Sequence, residues 1–194
     1  MSVRAIGLSC LLALTACSGP EAPASRFHAD DISGVMPPLE FSLAGSSGAP
    51  VSAADVRGKV VLLYFGYTHC PDVCPATLTR IAQTLKRLGP RAAATQVVFV
   101  SVDPTRDSGR LLADYASYFG PQVMGVTGTD DQLTALTKRY RVAYRRDAPD
   151  AQGNYAVYHS SAVFVFDRDG RARLLVRPDE TSGQLASDLE ALIG

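Results

Sequence analysis

Cys70 and Cys74, separated by three residues, lie in the segment Phe65-Gly66-Tyr67-Thr68-His69-Cys70-Pro71-Asp72-Val73-Cys74-Pro75. Thiolates are soft metal ligands and good nucleophiles, so such a pair either holds a soft metal ion or cycles between dithiol and disulfide. An inert structural disulfide is the plain alternative, but bridging one tight turn constrains the unfolded chain little. Pro75 suits the first turn of a helix. The spacing therefore predicts Cys74 at or just before a helix N-terminus, where partial positive charge favours thiolate over thiol. Imidazole is available from His69, beside Cys70, and from His159, 85 residues beyond Cys74. A histidine just ahead of a strand, as His159 is, serves structure more often than metal when taken alone. His69 adjoins Cys70, but a sequence neighbour often points away. His28, near the N-terminus, reads as solvated. Asp103 reads equally as a group that tunes a thiol or orients a ligand, and as a cap for the loop that follows. Asp72 reads as stabilising the helix start.

Positioning these groups requires a frame, and the hydrophobic pattern supplies one. Val60-Val61-Leu62-Leu63-Tyr64-Phe65 is a continuous apolar run that suits a strand buried on both faces. Leu78, Ile81, Ala82, Leu85 and Leu88 then recur at helical spacing, and Gly89-Pro90 ends the run. Val97–Val102 predicts a second buried strand, and about Ser108 to Phe119 a second helix. Thr129 and Gln132 form a capping box ahead of a third helix bearing Leu133, Leu136 and Tyr140. Ser161–Phe166 and Arg171–Val176 flank Asp167-Arg168-Asp169-Gly170 as a hairpin. Thr181 and Gln184 cap a last helix with Leu185, Leu189, Leu192 and Ile193. The order strand, helix, strand, helix, helix, hairpin, helix predicts an α/β fold: a thioredoxin-like sheet flanked by helices. A short N-terminal extension covers about Pro38 to Asp55.

The chain has 194 residues, enough for one domain with a substantial core. Lys and Arg number 19, as do Asp and Glu, so no basic excess marks a nucleic-acid partner. Arg4 is the only charge before Glu21, and Leu8, Leu11, Leu12 and Leu14 make a short apolar stretch, the pattern of a secretory signal peptide. That stretch closes on Leu14-Thr15-Ala16-Cys17, which resembles the bacterial lipobox, whose Cys becomes a diacylated N-terminus. Residues 1–16 are therefore expected to be a signal peptide. Residues 17–37 are expected to form a lipidated N-terminus at Cys17 and a flexible Pro-rich tether, and residues 38–194 the folded domain. The expected location is outside the cytoplasm, membrane-anchored and facing the periplasm or cell exterior, where disulfides are permitted. Of the four cysteines, Cys10 leaves with the signal and Cys17 loses its thiol, so Cys70 and Cys74 carry the chemistry.

The run Tyr64-Phe65-Gly66-Tyr67-Thr68-His69-Cys70-Pro71-Asp72-Val73-Cys74-Pro75 closely resembles the Sco family of copper-binding, thioredoxin-fold proteins. Ser101-Val102-Asp103-Pro104, Val126-Thr127-Gly128-Thr129 and Tyr155-x-x-x-His159-Ser160 extend the resemblance, which covers roughly Leu39 to Leu192. It implies a copper site made by Cys70, Cys74 and His159. Two thiolates suit Cu(I), and an added imidazole accommodates Cu(II). It also implies a metallochaperone for the dinuclear copper centre of cytochrome c oxidase, with the oxidase's copper-bearing subunit or another copper protein as recipient and a periplasmic thiol reductant as partner. One position departs: family members commonly carry an acidic residue just before the histidine, and Tyr158 stands here.

A thiol–disulfide oxidoreductase using Cys70 and Cys74 as a redox pair is the competing reading. Thioredoxin-type reductants usually have two residues between their cysteines and a Trp before them. This chain has three, and no Trp. Peroxiredoxins place Thr three residues before their Cys, where Tyr67 stands. Two cysteines are too few for a structural zinc site of the usual kind.

Overall fold

All of Val60–Gly66 is buried, as an apolar run without alternation requires, and it becomes a central strand of the sheet. The computed structural model describes residues 26–152 and 155–194. The expected signal peptide, Cys10 and Cys17 lie outside the described residues. In chain order the strands are β1 (Asp30–Asp31), β2 (Ser42–Gly45), β3 (Pro50–Ser52), β4 (Val60–Gly66), β5 (Thr95–Ser101), β6 (Val123–Thr127), β7 (Tyr144–Arg146), β8 (Val157–His159), β9 (Val163–Phe166) and β10 (Ala172–Val176). The helices are α1 (Val73–Leu88), α2 (Gly109–Tyr118), α3 (Asp130–Arg139) and α4 (Ser182–Ile193).

Eight strands form one mixed sheet in the order β1-β10-β9-β4-β5-β6-β2-β3. β4, β5 and β6 are parallel, which their connection through α1 and α2 demands. β9 returns antiparallel to β4, pairing Val163 with Tyr64 and Phe166 with Val61. The start of β9 therefore lies beside the end of β4, which carries the cysteine loop. α1 packs on α4, and α2 on β6. Both expected capping boxes form. Thr129 accepts from the Gln132 amide at 3.3 Å while Gln132 accepts from the Thr129 amide at 2.9 Å, and Thr181 and Gln184 repeat the exchange at 3.2 and 3.0 Å. The result is the expected α/β, thioredoxin-like sheet flanked by helices.

Several strands go beyond the sequence reading. β6 is short, and Gly125 interrupts its apolar run. A Cβ there would lie 2.6 Å from Leu112 Cγ, so glycine lets α2 sit directly on the strand. The N-terminal extension is a hairpin, β2–β3, added antiparallel to the β6 edge. The segment before it is less free than a tether. Phe27 and Ala29 are buried, β1 pairs with β10, and the amides of His28 and Ala29 donate to the buried Asp188 carboxylate. His28 itself is exposed, as expected. β7 and β8 form a separate two-stranded ribbon pairing Tyr144 with His159. The sequence places His159 just ahead of a strand beginning near Ser161; the structure adds that it ends a strand of its own, β8. No helix among the described residues is long and apolar enough to cross a membrane.

Candidate metal and thiol site

The cysteine loop leaves the C-terminal end of β4 at Gly66. A Cβ on Gly66 would come within 2.7 Å of Phe99 and 2.9 Å of Cys74 Sγ, so only glycine lets that sulfur pack against the strand end. Residues 67–70 then make a tight turn, with the Cys70 amide donating to the Tyr67 carbonyl at 3.3 Å. Asp107 secures this turn from the neighbouring loop. It is fully buried and accepts from the Thr68 amide (2.6 Å), the Thr68 hydroxyl (2.6 Å) and the Ser101 hydroxyl (2.7 Å). The sequence reading overlooked Asp107.

Cys74 occupies the first turn of α1 and is fully buried, while Cys70, ahead of the helix, is half-buried; both are free thiols. The helix start acts differently on the two sulfurs than the spacing suggested. Burial opposes ionisation of Cys70, but the amides of Cys74, Asp72 and Val73 outweigh it and bring the thiol below its ordinary range. The Cys74 amide points at Cys70 Sγ from 3.4 Å. Burial pushes the Cys74 thiol up to about 12, beyond what the Tyr67 backbone recovers, and the neighbouring Cys70 adds to the rise. The expectation of a thiolate-favouring position at Cys74 is thus corrected: the helix amides serve Cys70. Asp72 makes no side-chain cap hydrogen bond; its carboxylate adds charge at the helix start, while its amide acts on Cys70. In the reduced protein at pH 7, iodoacetamide should therefore label Cys70 at least about ten times faster than Cys74. Peptide mass spectrometry after brief labelling checks this, and equal labelling contradicts it.

His159 completes the cluster from β8. Its Nδ1 lies 2.9 Å from the Ser160 carbonyl, which only accepts, so Nδ1 carries the proton and Nε2 the lone pair. Nε2 lies 3.1 Å from Cys74 Sγ, whose thiol donates to it. Burial holds the imidazole below its usual pKa, keeping it neutral at pH 7. The Tyr64 and Tyr67 rings meet it edge-on at 6.1 and 6.0 Å. The ligating atoms of Cys70, Cys74 and His159 all lie within 4.8 Å of one another. A lone pair already turned toward two sulfurs is what a metal needs from imidazole.

The other candidates sort around this group. His69 is exposed and stands outside it, with Nδ1 3.0 Å from the Thr68 hydroxyl and 3.4 Å from Asp107. Asp103 neither reaches a thiol nor contacts His159. Its buried carboxylate accepts from the Tyr155 hydroxyl and from Arg106 Nε, each at 2.5 Å. Arg106 donates to the Tyr155 carbonyl and stacks 3.6 Å over the Tyr155 ring. Asp103 thereby anchors the loop leading to His159. Tyr158 is exposed beside the cleft formed by Cys70, Val73, Val157, His159 and Ser161, and the Arg145 guanidinium sits 4.8 Å over its ring.

A thioredoxin-like sheet with two thiols and an imidazole gathered where β4 hands over to α1 defines a dithiol–histidine protein of that fold. The SCO1/SenC family model matches residues 37–194, and the chain belongs to this family. It is 40% identical over 133 residues to the mouse mitochondrial protein SCO2 homolog, covering 68% of this chain and 52% of the relative. The chain thus spans about half the length of that curated relative. Over 170 residues it is 30% identical to the SCO2-like protein of Rickettsia felis, covering 86% and 82% of the two chains. Among solved structures, Bradyrhizobium japonicum ScoI with copper bound aligns with a TM-score of 0.73 at 34% identity, covering 80% of this chain and 98% of that one. Apo Sco1 from Thermus thermophilus aligns with a TM-score of 0.77 at 34% identity, covering 88% and 99%.

Proposed function

We propose that this protein binds one copper ion through Cys70, Cys74 and His159 and serves as a metallochaperone in assembly of the dinuclear copper centre of cytochrome c oxidase. The observation that carries this reading is the convergence of two sulfurs and an unprotonated Nε2 within 4.8 Å. Thiolates favour Cu(I), and the imidazole extends the site to Cu(II). The Bradyrhizobium structure, described with copper bound, supports the choice of metal. The oxidase target follows from the family resemblance. Its copper-bearing subunit, or another copper protein, is the recipient we infer.

Titration of the reduced protein under anaerobic conditions tests the reading. One equivalent of Cu(I) should bind, and Cu(II) should bring a sulfur-to-copper charge-transfer absorption. A reduced protein that binds neither ion stoichiometrically sinks it.

A second reading has one specific observation in its favour. Cys70 is accessible with a depressed thiol pKa while Cys74 is buried behind it, which is how an attacking and a resolving thiol are arranged. As an oxidoreductase, the Cys70 thiolate would attack a substrate disulfide and Cys74 would displace the reduced substrate, leaving a Cys70–Cys74 disulfide for a periplasmic thiol reductant to reopen.

We also propose that Cys17 is diacylated and holds the protein on a membrane, facing the periplasm or cell exterior. Two acyl chains suffice for stable anchoring where one is marginal. Cys17→Ser should release the protein into the soluble fraction. Unchanged membrane fractionation would contradict the anchor.

A further inference from the structure

Under the cluster lies a polar group that the site does not yet use. Tyr64, on β4 two residues before Gly66, is fully buried, and its hydroxyl forms no hydrogen bond among the described residues. Buried hydroxyls are nearly always paired, because removal from water without compensation is costly. Tyr64 and Gly66 lie two residues apart on the same face of β4, and a Cβ on Gly66 would lie 2.9 Å from Cys74 Sγ, so the Tyr64 ring sits on the face of the strand against which that sulfur packs. Cys74 and Thr77, one helical turn apart, are both buried on α1.

The unpaired hydroxyl has a chemical explanation in the state of Cys74. In the dithiol protein the Cys74 sulfur is a thiol whose proton is directed at His159 Nε2, and a thiol sulfur is a weak acceptor. When copper takes the place of that proton, the sulfur becomes electron-rich and accepts well. We propose that the Tyr64 hydroxyl is the donor reserved for the metal-bound Cys74 sulfur, a positioning residue that withdraws charge from that thiolate and favours Cu(I) over Cu(II). Hydrogen bonds to a ligating cysteine sulfur are a recognised means of setting a copper site's redox balance. The inference rests on the copper reading of the site. It adds the outer-shell group that sets which oxidation state is held more tightly.

Tyr64→Phe removes the donor and keeps the ring that meets Phe99 and His159. In the full-length protein loaded with Cu(II), the charge-transfer band should move to lower energy, because the sulfur regains donor strength. The copper–sulfur stretching frequency of the wild type should differ between H2O and D2O, and the difference should shrink in Tyr64→Phe. The Cu(I)-to-Cu(II) affinity ratio should fall about two- to tenfold, the range of one hydrogen bond. Difluorotyrosine at position 64, a stronger donor of the same shape, should move the band the opposite way and keeps the test open if the Phe variant folds poorly. Tyr115→Phe is the control, since the Tyr115 hydroxyl is likewise buried without a partner. A wild type with a charge-transfer band that Tyr64→Phe leaves unmoved, or equal shifts in both Phe variants, overturns the role of Tyr64 alone. A wild type with no such band overturns the copper reading as well.

Discussion

Cys74→Ala should abolish stoichiometric copper binding and the sulfur-to-Cu(II) charge-transfer absorption, and Cys70→Ala should do the same. Neither sulfur is replaceable, since no third cysteine lies among the described residues and His69 stands outside the ligand group. Copper left with one thiolate and one imidazole loses the soft pair that favours Cu(I). The Cys74 change should cost the fold only on the order of 1–2 kcal/mol, because it deletes one small buried group and leaves alanine in a helix turn. Copper content after dialysis, read beside a thermal melt, separates loss of the site from loss of the fold. A Cys74→Ala protein retaining wild-type stoichiometry and spectrum would show that the metal sits elsewhere. The same sulfur sets the pH dependence. Cys74, pushed up to about 12, is protonated throughout the neutral range, so copper must displace its proton. Apparent Cu(I) affinity should then rise about tenfold per pH unit, and more steeply where Cys70 is protonated too. His159, held below its ordinary range, adds no proton competition near pH 7. Affinity that stays flat from pH 6 to 8 would contradict this.

What could be read from the chain, and what could not, divides along physical lines. β4, β5 and the apolar face of α1 announce themselves because burial on both sides of a strand, or along one side of a helix, leaves a periodic mark. The capping boxes of α3 and α4 are equally local. β6 escaped notice because Gly125 and a five-residue length erase its pattern, although the glycine is what lets Leu112 approach. The β7–β8 ribbon pairs two segments more than ten residues apart in sequence, each strand only three residues long and too short to leave a periodic mark, yet it carries His159. Asp107 follows Pro104-Thr105-Arg106 and reads as surface loop. Only the tertiary structure brings Thr68 and Ser101 to it and makes it a buried anchor. The two thiols show the same limit. Both stand near the helix start in sequence, but which one ionises depends on burial, and burial separates Cys70 from Cys74.

His159→Ala separates copper delivery from thiol exchange. A dithiol cycle needs Cys70 as attacking thiolate and Cys74 as resolving thiol, and the amides that depress the Cys70 pKa come from α1, not from β8. The variant should therefore still form and reopen the Cys70–Cys74 disulfide. Copper responds differently. Two thiolates alone hold Cu(I) nearly linearly, so much of that affinity survives. Cu(II) needs the third strong donor, and its binding should weaken by at least about 100-fold, the loss that even outer-shell changes can cause. The substitution also opens a space between the Tyr64 and Tyr67 rings, where water is a poor substitute for a neutral imidazole fixed by the Ser160 carbonyl. In cells lacking the native protein, copper delivery predicts that His159→Ala fails almost as fully as Cys74→Ala, with partial recovery on added copper. A purely redox role predicts that it works nearly as well as wild type. Oxidase activity of the complemented strain, measured with and without added copper, distinguishes the two. Full rescue by His159→Ala at low copper would discard the metallochaperone in favour of the oxidoreductase, because it would show that the imidazole turned toward Cys74 is not needed for the protein's task.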